Sequence, residues 1–169
     1  MIRLYHGTNV LFDTPDLALC NPYKDFGKGF YLTPDLAVAK RMAERVAERS
    51  PWQGCPRYVL VYEPDERQMP QMNIRTFESP INAEFAKFVM ANRLFRTRDK
   101  DHNRDARYDI VKGPIADDKM GVLFRRFESG DVTLEQVISE LRFKKLSIQY
   151  SFHTPKALAA LRFKEAKRV

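Results

Sequence analysis

The chain has few of the residues that cross-link small proteins or bind metal ions. Its 169 residues include only two cysteines, Cys20 and Cys55, and three histidines, His6, His102 and His153. Neither cysteine belongs to a C-x-x-C pair or to a cluster with histidine. The sequence therefore predicts neither a disulfide framework nor a zinc site, and we expect no bound metal.

Long apolar runs are also missing. No stretch approaches the roughly 20 apolar residues that a membrane-spanning helix needs. The first residues, MIRLYHGTNV, lack the apolar segment and cleavage site of a secretory signal. Seven glycines and ten prolines do not suggest a collagen-like chain or a flexible linker. These features predict a mature, cytoplasmic protein without membrane contact, and the length suits one domain over residues 1–169.

Positive charge is in excess. Lysine and arginine number 29 against 22 aspartates and glutamates, which gives a net charge of +7 and a pI near 9.5. The basic residues are concentrated at residues 93–107, 142–145 and 164–168. They suit either a solvated surface with a frayed basic tail or a surface that attracts a polyanion, whether a dinucleotide or a nucleic acid.

Several helix starts carry recognisable signals. Thr33-Pro34, Ser79-Pro80 and Thr154-Pro155 each resemble an N-cap followed by proline in the first turn. They predict helices over residues 35–49, 81–93 and 154–161. A further helix is predicted at 117–128, and the T-x-x-Q capping box at Thr133 and Gln136 predicts the start of another.

Short apolar or alternating runs between these helices predict six strands, at residues 2–5, 29–32, 58–62, 73–76, 108–111 and 147–152. Helices and strands are interspersed, but their connections do not repeat as regular βαβ units. The sequence therefore predicts an α+β fold.

Three short segments contain residues suited to chemistry. The first strand ends in His6, Gly7 and Thr8; a glycine-rich turn, FGKGFY, carries Gly27, Lys28, Gly29 and Tyr31; and the strand at 147–152 carries Gln149 beside Tyr150. Taken singly, each has an ordinary structural explanation: a packed histidine, a tight turn, a core tyrosine, or a glutamine on the solvent face of a strand.

In this order, the three segments resemble the ADP-ribosyltransferase superfamily on its PARP-like and diphtheria-toxin-like side. There they read His-Gly-Ser/Thr, Gly-Lys-Gly-Ile-Tyr-Phe and Glu-Tyr. The chain more closely resembles a family of small bacterial proteins assigned to that superfamily, which share YDIV at 108–111, GPIADD at 113–118 and FHT at 152–154. The resemblance implies a split pair of antiparallel sheets with peripheral helices, and NAD as a co-substrate in the cleft.

The resemblance also implies roles for matching residues. His6 would bind a ribose hydroxyl, Tyr31 would stack on nicotinamide, and Gln149 would occupy the position of the superfamily's glutamate. The cofactor-binding set is Gly7, Thr8, Gly27, Lys28, Gly29 and Arg93. In this set the Gly7 backbone would meet the carboxamide and Lys28 would face phosphate. Arg93 is included because it ends the predicted helix 81–93 directly after Asn92, which we expect to bring it near the cleft.

Three positions depart from the superfamily pattern. Ala39 and Met42 stand where PARP-like enzymes have a serine and a second tyrosine, and Gln149 stands where glutamate is usual. A neutral amide can orient a hydroxyl but cannot stabilise a cation with a full charge. Gln149→Glu is therefore expected to speed nicotinamide release, unless Asp109, Asp117 or Asp118 supplies the charge.

The sequence thus predicts an NAD-dependent mono-ADP-ribosyltransferase with a His-Tyr-Gln site, acting by transfer or by NAD hydrolysis as an intracellular toxin or effector. Its acceptor would be a protein, a nucleic acid or a small molecule. Small bacterial proteins of this type can be paired with a neutralising, antitoxin-like protein. Two alternatives stay open: a non-catalytic module that binds NAD or another nucleotide, and a nucleic-acid-binding protein that uses the cleft and the 93–107 segment.

Overall fold

A computed structural model describes residues 2–78, 82–94, 100–115, 118–142 and 146–169. Its strands are β1 (Leu4–Thr8), β2 (Phe30–Leu32), β3 (Tyr58–Pro64), β4 (Ile74–Thr76), β5 (Ile110–Pro114), β6 (Ile148–Phe152) and β7 (Leu161–Arg168). Its α-helices are α1 (Leu36–Glu48), α2 (Ala83–Leu94), α3 (Asp118–Glu128), α4 (Leu134–Arg142) and α5 (Pro155–Ala159). Across these ranges, no helix combines the length and the apolar character needed to cross a bilayer.

The strands form two sheets. The first sheet has the order β1-β3-β7 and is antiparallel throughout, while the second has the order β2-β6-β5-β4. In the second sheet β2, β6 and β5 are antiparallel neighbours, but β4 runs parallel to β5. The α+β class is confirmed, whereas the expectation of two antiparallel sheets is wrong at this edge. Parallel neighbours need a long crossover, and the connection from β4 to β5 contains α2.

Two apolar clusters form the core. The cluster between the sheets joins Leu4, Leu60 and Tyr62 of the first sheet to Phe30 and Phe152 of the second. The other lies between the second sheet and α2, α3 and α4, and includes Phe26, Phe88, Val111, Phe124 and Leu141. Because side chains alternate along a strand, β2 sends Phe30 and Leu32 to the first cluster and Tyr31 to the second.

Two of the four predicted helix caps are present in the structure. Thr133 and Gln136 form the reciprocal capping box, and the Thr154 hydroxyl accepts from the Ala157 N–H. Helix α1 differs from the prediction because Asp35, rather than Thr33, is its N-cap. The proposed start at Ser79-Pro80 lies outside the described residues.

The last strand replaces a predicted tail. The basic residues at 164–168 suited either a frayed, solvated tail or a surface for a polyanion, and the frayed tail is wrong. Leu161–Arg168 pairs with β3, with one register shift between Val61 and Tyr62. Its side chains are mostly exposed and its charges pair across the strands, as in Lys164 with Glu63 and Arg162 with Asp65. A strand so rich in charged residues resembles a tail in the sequence, because few of its side chains are apolar.

Gly7 allows helix α1 to pack directly on β1. A Cβ at Gly7 would lie 2.0 Å from the carbonyl oxygen of Ala39 and 2.6 Å from the nitrogen of Ala43. We expect Gly7→Ala to lower the free energy of unfolding by about 2 kcal/mol or more, because the helix must move away. Urea unfolding measures this loss.

Gly54→Ala is the matched control for this substitution. A Cβ there meets nothing within 4 Å, and only the left-handed backbone, with φ at +74°, opposes it. Its expected cost is about 1 kcal/mol. Equal losses in the two variants would contradict the packing role of Gly7.

Candidate functional site

The two sheets meet where β1 lies beside β2. Tyr5 and Thr33 exchange two backbone hydrogen bonds, at 2.8 and 2.9 Å, and this bridge is isolated. Backbone groups two residues apart on a strand point to the same side, so the N–H and C=O of Gly7 face away from β3, as those of Tyr5 do. Within the described residues the bridge does not extend to Gly7, so the strands separate there.

His6 occupies the point of separation. Its Nδ1 lies 2.8 Å from the carbonyl oxygen of Tyr31, and its ring packs against Phe12 and Phe30. Loss of hydration lowers the pKa of His6, an effect only partly opposed by the bond to the Tyr31 carbonyl. Since a carbonyl oxygen can only accept, Nδ1 carries the proton of the neutral ring. Nε2 is then an acceptor.

Thr8 is buried at the end of β1, where its hydroxyl accepts from the Val10 N–H. This contact closes the turn after the strand. The position that a Gly7 side chain would occupy is filled by the backbone of α1. Only the backbone N–H and C=O of Gly7 face the space beside β2. Any pairing of Gly7 with a carboxamide would therefore use these two groups.

The glycine-rich turn is held by close contacts. Gly27 has a φ of +87°, a left-handed conformation that favours glycine. A Cβ at Gly29 would lie 2.6 Å from Nδ1 of His153, which shows how closely the turn passes that ring. The Lys28 side chain is exposed, while its carbonyl oxygen lies 2.8 Å from the same Nδ1.

Tyr31 projects from β2 on the side away from Phe30. Its hydroxyl donates to the Gly27 carbonyl at 2.7 Å and accepts from the Phe26 N–H at 3.0 Å. Burial raises the pKa of Tyr31 well above its ordinary value, and the nearby Asp25 carboxylate adds to this. The phenol therefore stays protonated and fixes the turn that precedes its own strand.

Gln149 is buried on the same face of the second sheet as Tyr31. Strand β2 pairs with β6 so that Tyr31 lies opposite Ser151, two residues from Gln149. The Gln149 amide nitrogen donates to Asp25 at 2.7 Å and to the Pro114 carbonyl at 3.2 Å. Asp25 is also buried and pairs with Arg93 of α2, whose Nε lies 2.6 Å from Oδ1.

Asp25 was not among the predicted site residues. Its carboxylate lies against Gln149, although 124 residues separate the two in the chain. The only signal was an acidic residue two positions before Gly27 in a turn rich in glycine. Arg93, which was expected near the cleft, reaches this cluster through Asp25.

Asp109, one of the three acids that could supply negative charge near Gln149, does not lie beside it. Asp109 accepts from the Thr154 hydroxyl at 2.6 Å and from the Asn73 N–H at 2.9 Å, and it lies near Lys156. Asp109 precedes β5, whereas Gly113, at the far end of that strand, is the partner of Gln149. Asp109 therefore holds strands and α5 together away from Gln149. Asp117 lies outside the described residues, as does the side chain of Asp118.

His153 belongs to the FHT segment at 152–154. Its Nδ1 donates to Lys28 O, and its Nε2 lies 2.7 Å from the Ser151 hydroxyl. This pair of contacts joins β6 to the glycine-rich turn just behind Tyr31, whose ring lies edge-on to the imidazole. The histidine therefore supports the turn from within the core.

An open pocket of about 250 Å³ adjoins the Arg93 end of this cluster. It is lined by Tyr23, Arg93, Leu94, Gly121, Phe124 and Arg125. The described part of the 93–107 segment has Arg107 exposed and paired with Asp105, and Asn103 buried against Asn92. Residues 95–99 of that segment lie outside the described ranges. Where residues are described, no group of three His, Cys, Asp or Glu side chains could hold a metal ion.

Tyr31 and Gln149 thus share one face of the second sheet with Asp25 and Arg93. His6 reaches the same strand from the other side, through the carbonyl of Tyr31. Chemically, the cluster offers a neutral imidazole acceptor, a phenol whose hydroxyl is bonded within the turn, a fixed amide and a partly buried ion pair. Such an arrangement suits a polar, neutral group such as a sugar hydroxyl more than a metal ion.

The chain belongs to a family described as a protein of unknown function (DUF3990), which matches residues 2–163. No curated protein and no solved structure matches the chain.

The buried imidazole of His153 is expected to make the fold less stable as pH falls. Burial lowers the pKa of His153 from 6.5 to about 4. Between these values the unfolded chain takes up a proton and the folded chain does not, so stability is retained above about pH 6.5 and lost toward pH 4. The loss is at most about 3 kcal/mol. Urea unfolding at pH 7 and pH 4.5 measures it.

His153→Gln serves as the comparison, since an amide can keep both hydrogen bonds without titrating. We expect a smaller loss between the two pH values in this variant. His6 and His102, whose pKa values are also lowered, contribute in the same direction and remain in both proteins. If the free energy of unfolding depended on pH identically in parent and variant, His153 would not be a source of the stability lost at low pH.

Proposed function

We propose that this protein is an NAD-dependent mono-ADP-ribosyltransferase. The observation that carries the proposal is the meeting of the three motif segments at strand β2. The Tyr31 carbonyl accepts from His6, and β2 pairs with the strand that carries Gln149. These are the segments on which the resemblance to ADP-ribosyltransferases rests. Their order along the chain alone would not require them to be neighbours in space.

His6 is suited to bind a ribose hydroxyl. Because Nδ1 is committed to the Tyr31 carbonyl, a neutral His6 presents Nε2 as an acceptor, and an O–H group is its natural partner. Its lowered pKa keeps the ring neutral near pH 7. A neutral acceptor also avoids placing a positive charge beside a sugar that itself becomes cationic.

The reaction would break the bond between nicotinamide and ribose. Positive charge then develops on the ribose, and the surrounding groups lower the barrier mainly by electrostatics and positioning. In this proposal Gln149 binds a second ribose hydroxyl, Tyr31 presents its ring to nicotinamide, and Gly7 offers a backbone edge to the carboxamide. The ADP-ribose would pass to an acceptor or to water.

We propose only the chemical class of the molecule that accepts the ADP-ribose. The net charge of +7 and the basic residues at 93–107 favour an acidic acceptor, either a nucleic acid or an acidic protein surface. An intracellular role as a toxin or effector, and a neutralising partner protein, follow from the same resemblance.

The test is nicotinamide release from NAD, followed by transfer of labelled ADP-ribose to a cell lysate. We expect the parent protein to release nicotinamide and to label either nucleic acid or protein. Label that nuclease removes identifies a nucleic acid, and label that protease removes identifies a protein. Binding of NAD without release would instead support a non-catalytic nucleotide-binding module.

His6→Ala is the sharpest variant for this site. It removes one hydrogen bond to the ribose, so we expect about a tenfold fall in kcat/KM for NAD. His102→Ala is the matched control, because that histidine contacts the Arg104 N–H in the 100–108 loop and not β2. Equal rates for parent and His6→Ala, with both folded, would remove His6 from the site.

A further inference from the structure

The Gln149 amide is held in one orientation. Its nitrogen has two hydrogens, and both are directed to groups that can only accept: the Asp25 carboxylate at 2.7 Å and the Pro114 carbonyl at 3.2 Å. Turning the amide over would place its oxygen against both of these oxygens. The chemistry of the partners therefore fixes which end is nitrogen and leaves Oε1 as the acceptor end of the amide.

Asp25 is itself fixed on its other side. Arg93 donates to Oδ1 from both Nε and Nη2, while Oδ2 receives the amide of Gln149. The next residue, Phe26, is held by the Tyr31 hydroxyl. Asp25 is only 5% exposed, so water competes little for its oxygens.

The cluster places negative charge one hydrogen bond behind the amide. A carboxylate that accepts from an N–H strengthens that bond and draws electron density toward the amide oxygen at the other end. Oε1 of Gln149 therefore becomes a better acceptor than an isolated amide oxygen. Arg93 keeps the buried carboxylate paired, which avoids leaving a lone charge in the core.

Resting on the function proposed above, we infer that Asp25 is a positioning residue that holds the Gln149 oxygen toward the ribose and polarises it. The Asp25–Gln149 pair thereby takes the place of the single glutamate that related enzymes use. The site recognises a hydroxyl donor through Gln149, and the carboxylate behind it does not contact the substrate.

This inference reverses the effect expected for Gln149→Glu. A carboxylate at position 149 would put an oxygen where the amide N–H now lies 2.7 Å from Asp25. Two carboxylates at this distance repel and must share a proton. The single substitution should therefore slow nicotinamide release rather than speed it.

The complementary substitution predicts a rescue. In Asp25→Asn, the oxygen of the new amide stays with Arg93 and its nitrogen faces the nitrogen of Gln149, so two donors meet. Combining Asp25→Asn with Gln149→Glu restores a donor–acceptor pair and moves the charge to the substrate side. Each single change is harmful for a different reason. Together they remove the clash at position 25, while the carboxylate at position 149 still faces the Pro114 carbonyl, so the rescue is expected to be partial.

The experiment compares nicotinamide release by the parent, Asp25→Asn, Gln149→Glu and the double variant. We expect each single variant to lose about 100-fold in kcat with little change in KM, and the double variant to regain at least tenfold over either single variant. A double variant no faster than the slower single variant, with all four folded by thermal unfolding, would overturn the pairing.

A second measurement uses the parent protein and does not depend on turnover. The side-chain amide protons of Gln149, assigned by NMR, should both exchange slowly with solvent, as expected for hydrogens bonded inside the core. Rapid exchange of both would overturn the positioning role even if NAD is turned over. If these protons exchanged slowly but the protein released no nicotinamide, the fixed orientation of the Gln149 amide would be supported. The proposed reaction would then be refuted.

Discussion

Thr33 is the residue through which the two sheets and the first helix are joined. Its backbone exchanges two hydrogen bonds with Tyr5 of β1, its hydroxyl donates to the Ile148 carbonyl of β6, and the same hydroxyl accepts from the Asp35 N–H at the start of α1. The strands are bound together at this point and separate immediately beyond it. The opening beside Gly7 lies directly beyond this junction, and the Thr33–Ile148 bond lies at the end of the β2–β6 ladder that places Gln149 near Tyr31.

The candidate site distributes its chemistry over more groups than the sequence suggests. A glutamate would combine hydroxyl recognition and charge in one side chain, whereas in the proposed site Gln149 would supply the first and Asp25, to which its amide donates, would supply the second. Arg93 and the turn around Gly27 hold the carboxylate in place, so the arrangement depends on α2 and on a loop far away in the chain. This division also explains why a neutral residue at position 149 does not by itself imply an inactive site.

What could be predicted from the sequence was local. The six expected strands and the Thr133 capping box depend on neighbouring residues, and each of them is present in the structure. The Asp25–Gln149 contact could not be predicted, because no periodicity relates residues so far apart. β7 was missed because its apolar positions are few, and the parallel β4 was missed because strand direction depends on the crossover through α2. The prediction that Thr33 is the N-cap of α1 is wrong, because its hydroxyl donates to the Ile148 carbonyl of β6 and Asp35 is the N-cap.

The mostly positive charges of β7 also bear on how the molecule contacts other copies of itself. An edge strand has a row of backbone N–H and C=O groups that another chain can join to build a continuous sheet. Here Arg162, Lys164, Lys167 and Arg168 follow that edge, and their exposed side chains would bring like charges together if two copies aligned. The residues that made this segment resemble a tail are therefore placed where they oppose edge-to-edge pairing of two copies.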